Sequence, residues 1–118
     1  MTEQGFWEFL EQLWKKGRAQ QLTVTVDCGE PQVQAYLQGH ALLPKDYDKL
    51  SPQDIIKMGS LLFEKGASLK LKEAVMVLLA HQRSEIALTI LTKYCFTPDK
   101  ALECFARLAL DECAMWNE

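Results

Sequence analysis

Few residues in this chain are able to do chemistry, and they are scattered. Cys28 sits in the turn-forming stretch Asp27-Cys28-Gly29-Glu30-Pro31, with His40 a little further on. A thiol and an imidazole are the ingredients of a Cys–His nucleophile. A thiolate wants positive surroundings, however, and Asp27 and Glu30 are both negative. No third group to orient the histidine and no oxyanion donor can be named, so catalysis at Cys28 is not expected. His40 and His81 are the two histidines, and neither has a ligand partner at helical spacing. Cys104 and Cys113 lie nine positions apart and face opposite ways on a regular helix. Nothing in the spacing brings Cys28 and Cys95 to them as a zinc site. Cys95, Cys104 and Cys113 read as small core residues. No metal, no cofactor and no structural disulfide is expected, and no phosphate loop, dinucleotide fingerprint, His-Glu-x-x-His or Cys-x-x-Cys occurs.

Two further features stand out. Glu112 points into an apolar stripe formed by Ala101, Phe105, Leu108 and Trp116. A carboxylate so placed reaches solvent or pairs with a cation from a neighbour. To be functional it needs a second acid or a metal ligand, and the sequence names none. The other feature is aromatic. Phe6, Trp7 and Trp14 share one side of the first periodic segment, and tryptophan is enriched where partners bind. They are the candidate partner-binding residues.

These groups must be positioned by helices. The stretch Ala74-Val75-Met76-Val77-Leu78-Leu79-Ala80 carries no polar side chain, so a helix over residues 69–82 is apolar on every side and must be surrounded by protein. It is far shorter than the roughly 20 residues of a membrane span. His81 at its end suits the negative pole of the helix dipole. Residues 2–17 form an amphipathic helix, with Thr2 as N-cap and Gly17 as the residue that ends it. Residues 22–26 alternate with a period of two, and Val33, Ala35 and Leu37 alternate again after the Gly/Pro turn. The pattern predicts a small β-hairpin over 22–38. Its rival is a strand followed by a short helix that opens at Pro31 and closes at Gly39. Residues 39–50 read as a loop.

From residue 51 to 116 four helices are expected. Ser51-Pro52 and Thr97-Pro98 are cap-plus-proline starts, and Ser68 and Ser84 cap the helices between them. Connections this short place consecutive helices antiparallel and in contact. The two cap-plus-proline motifs lie 46 residues apart, and aligning them matches Ile56 with Leu102, Met58 with Cys104 and Leu62 with Leu108. In this part the chain resembles the stacked helices of HEAT and armadillo proteins, in layout rather than in any specific motif. That resemblance implies a protein-binding scaffold.

The expected fold is therefore mainly α. It is a single domain over 1–118, an antiparallel multi-helix bundle with a small N-terminal β-hairpin or strand. At 118 residues and 48% hydrophobic the chain can bury its own core. A net charge of −3 provides no basic footprint for nucleic acid. Four cysteines without a signal-peptide layout suggest a reducing, cytoplasmic setting and no membrane. The expected function is a non-catalytic protein–protein interaction module, a small adaptor or assembly subunit that forms a homodimer or binds a protein partner in a larger assembly. The alternative is a binding protein for a small apolar ligand held between the helices, with Glu112 or His81 at the polar end of its pocket.

Overall fold

The computed structural model describes residues 1–19 and 30–118. Their helices start where side chains can cap them. Helix α1 (Glu3–Trp14) opens on Thr2, whose hydroxyl accepts from the Gly5 amide. It buries Phe6 and Leu10. Gly17 then takes a φ of 118°, a left-handed conformation that costs glycine little. Beyond it the backbone is tied to a later loop, since the Ala19 amide donates to the Leu43 carbonyl and the Lys45 amide to that of Gly17.

Residues 31–38 do not form the second strand of a hairpin. They lie in helix α2 (Pro31–Gly39), with Pro31 in the first turn and the Glu30 carboxylate accepting from the Gln32 amide. Over so short a segment the apolar positions suit either period, and contacts with distant residues decide. Tyr36 is buried edge-on against Phe105, and the Gln32 side chain accepts from the Phe105 amide. The strand expected at 22–26 lies outside the described residues, among which only an isolated bridge between Arg18 and Pro44 has β pairing.

Helix α3 (Pro52–Ser60) is capped by Ser51 and runs into a 3-10 turn, Leu61–Phe63. Helix α4 (Leu69–Ala80) is capped by Ser68, whose hydroxyl accepts from the Leu71 amide and donates to Glu3 of α1. Every residue from Ala74 to Gln82 is buried, as expected of a helix surrounded by protein. Helix α2 packs on it, and α3, helix α5 (Glu85–Phe96) and helix α6 (Glu103–Trp116) cover the rest. Ser84 caps α5. Close packing of α3 on α5 depends on Gly59, where a Cβ would sit 2.7 Å from Cδ1 of Ile90.

The last helix starts later than the Thr97-Pro98 motif suggests. Thr97 ends α5, a 3-10 turn spans Lys100–Leu102, and α6 begins at Glu103 without a side-chain cap. Asp99, expected near the start of that helix, instead accepts from the Lys72 ammonium at 2.7 Å and from the Tyr94 hydroxyl at 2.5 Å. Lys72 is 3% exposed, a buried cation just before the fully enclosed stretch that starts at Ala74. Burying it is possible because the pair is formed. No helix among the described residues is long and apolar enough to cross a membrane.

Candidate functional site

Glu112 has partners that the sequence did not name. Helix α6 carries it to the place where the C-terminal ends of α2 and α4 meet, and there His40 and His81 close on it from two sides. Nε2 of His40 lies 3.3 Å from Oε1 of Glu112, and Nε2 of His81 lies 3.0 Å from Oε2. The Tyr36 hydroxyl donates a short hydrogen bond to Oε1 as well. His81 is 6% exposed at its side chain, Glu112 20% and His40 27%, so the cluster is closed at α4 and opens partly to solvent at α2.

The two imidazoles are held in the same way. Nδ1 of His40 is 3.0 Å from the Tyr36 carbonyl, and Nδ1 of His81 is 2.7 Å from the Val77 carbonyl, each one helical turn back. A carbonyl oxygen only accepts, so each Nδ1 carries a hydrogen and both Nε2 atoms are turned to the carboxylate. Aromatic rings fix their planes. The two imidazoles stack edge-to-face at 4.8 Å between centroids, with Tyr36 at 5.2 Å from His40 and Tyr47 at 5.6 Å from His81.

The electrostatics follow from this geometry. Burial acts to raise the Glu112 carboxyl, but the hydrogen bonds from His40, His81 and Tyr36 outweigh it and hold the group well below the usual carboxylate range. The same hydrogen bond to Glu112 favours the charged form of His40, and burial opposes it. Burial first, and then Glu112, push the Tyr36 phenol far up, so it stays a donor. Next to the cluster the buried Gln82 donates to the Leu78 and Tyr47 carbonyls, and its own carbonyl accepts from Asn117 at 3.0 Å. His40, His81 and Glu112 form a set of possible metal ligands whose donor atoms all lie within 4.8 Å of one another.

The remaining sequence candidates are placed separately. Cys28 lies outside the described residues. Cys95, Cys104 and Cys113 are free thiols, of which Cys113 is buried and the other two half-buried. Burial pushes the Cys113 thiol up to about 11. In α1, Phe6 is fully buried in the chain's own core, with Trp7 packed edge-on against it at 5.2 Å. Trp14 is half-buried, and its indole N–H donates to the Leu42 carbonyl at 2.7 Å while Arg18 covers its ring.

One patch of exposed apolar side chains lies elsewhere. A groove of about 540 Å³ runs between α3 and α5, with Ile56, Gly59 and Phe63 on one wall and Ile86 and Ile90 on the other. Ile56 is 52% exposed and Phe63 46%. Thr89 sits at the middle of the α5 wall, with Glu85 and Lys93 on either side of it. Its residues carried no motif, and only the exposed apolar positions of α3 could have marked it. Comparisons with protein-family models, with curated proteins and with solved structures find no match.

Proposed function

We propose that the chain is a non-catalytic helical module that associates with a second copy of itself through the α3–α5 groove. The observation that carries this reading is the order of side chains along the exposed face of α5. Glu85 and Lys93 lie four residues to either side of Thr89, at the i and i+8 positions of one helix face, about 12 Å apart. A two-fold axis through Thr89 that sets α5 antiparallel to its copy puts each Glu85 against the other chain's Lys93. A parallel arrangement would oppose like charges. The patch is thus complementary to itself, as an isologous interface requires.

The charges set direction and register more than affinity, since exposed ion pairs contribute about 0.2–1 kcal/mol each. Attraction comes from removing Ile56, Phe63 and Ile86 from water, at about 25 cal/mol per Å² of apolar surface. The aromatic edge at Trp7 and Trp14 is the lesser candidate, because Trp14 already spends its polar group inside the chain.

Sedimentation tests the proposal. The parent should show concentration-dependent mass, and Glu85→Lys and Lys93→Glu should each shift it toward monomer. The double variant Glu85→Lys with Lys93→Glu should recover association, because the pairs re-form with their signs exchanged. A parent that is monomeric at every concentration, or single variants that associate like the parent, would overturn it. The groove's volume also lies in the range of small-molecule sites, roughly 300–1,000 Å³. A monomer whose heat stability rises with one hydrophobic compound at any protein concentration would favour that second reading.

A further inference from the structure

We propose that His40, His81 and Glu112 bind one divalent first-row transition-metal ion, a site separate from the α3–α5 groove and independent of any association there. The argument begins with the hydrogens. Both Nδ1 atoms face carbonyl oxygens and therefore carry hydrogens, which leaves each Nε2 directed at an oxygen of Glu112. In neutral imidazoles those atoms are lone pairs, and lone pairs opposite a carboxylate repel. The arrangement asks for a cation among the three groups.

A metal ion fits the form of the cluster. Imidazoles that ligate metals commonly donate the other ring N–H to a carbonyl or carboxylate, and ligating carboxylates are hydrogen-bonded in turn. Both features are present, through the Tyr36 and Val77 carbonyls and through the Tyr36 hydroxyl on Oε1. The hydroxyl occupies one oxygen and leaves Oε2 for the ion. A tetrahedral ion at about 2.0–2.2 Å from each ligand sets neighbouring ligand atoms about 3.3–3.6 Å apart. Nε2 of His81 is 3.0 Å from Oε2, and the three ligand atoms all lie within 4.8 Å of one another. Two imidazoles and a carboxylate suit zinc, iron, cobalt or nickel better than magnesium or calcium, which take oxygen ligands. Three protein ligands leave a position for water. Solvent reaches the cluster at His40, whose side chain is 27% exposed.

The alternative cation is the proton, shared among the same groups, and one set of measurements separates the two. Chelator-treated chain would be dialysed against zinc(II) and, in parallel, cobalt(II). The expected result is one ion per chain, with cobalt showing visible d–d absorption but no thiolate charge-transfer band, since no cysteine belongs to the set. His40 is half-exposed, so His40→Gln should keep the parent's circular dichroism and lose the ion. Tyr36→Phe keeps all three ligands and should weaken binding about 10–100-fold. A folded parent that takes up no stoichiometric ion would make the proton the resident cation and overturn the proposal. So would an ion bound as tightly by His40→Gln, or one that shows a thiolate band.

Discussion

Lys72 shows what a single cation does when packing takes it out of water. Its ammonium is 3% exposed, while the Asp99 carboxylate it meets is 36% exposed, so the pair is dry on one side and wet on the other. Removing one member of a buried pair typically costs about 3–5 kcal/mol. Asp99→Asn should fall at the lower end, because water can approach the ammonium from the aspartate side. Lys72→Met should cost less, since it leaves only an exposed carboxylate. The pH dependence has a definite sign. Lys72, and then the Tyr94 hydroxyl, hold the Asp99 carboxyl below its ordinary value. The stability this contributes is fully present above the unfolded carboxyl's pKa of about 3.9 and is lost as pH falls through the folded value. Urea midpoints at pH 7 and pH 3 should therefore differ less in Asp99→Asn than in the parent. An equal acid loss in both would place the pair's effect elsewhere.

At the scale of elements, α4 decides the fold. Leu79 is fully buried, and Leu79→Asp would set a charge where neither water nor a partner can reach it. That variant should fail to fold, while Leu79→Ala should fold and lose about 2–5 kcal/mol in a denaturant melt. A Leu79→Asp chain that melts like the parent would mean that α4 is not surrounded. This helix was legible in advance because an unbroken apolar run has one explanation. The caps at Thr2, Ser51, Ser68 and Ser84 were legible because their chemistry is local. Residues 31–39 were legible only as two alternatives, strand or helix, since Tyr36 gains its place from Phe105, far along the chain. The start of α6 was not legible, because there Asp99 is drawn to Lys72 rather than to a helix end. Glu112 could be recognised as misplaced, but not explained. Its partners stand at the ends of two other helices, and only packing brings three chain segments to one point.

For the whole molecule, association through the α3–α5 groove would make heat stability depend on protein concentration, because binding between folded copies draws the equilibrium away from unfolded chains. The melting temperature of the parent should rise with concentration, and that of Glu85→Lys should rise less. The enclosure of α4 also has a consequence for motion. A helix of 12 residues does not persist alone in water, and α2, α3, α5 and α6 all pack against this one. Its backbone amides thus have no small opening through which to meet solvent. In deuterium oxide the slowest-exchanging amides should cluster at 74–80 and report one common free energy, that of complete unfolding. The first turn of α1 should exchange through fraying long before them. Early exchange at the middle of α4 would reveal a partly open state in which one of the covering helices has swung away.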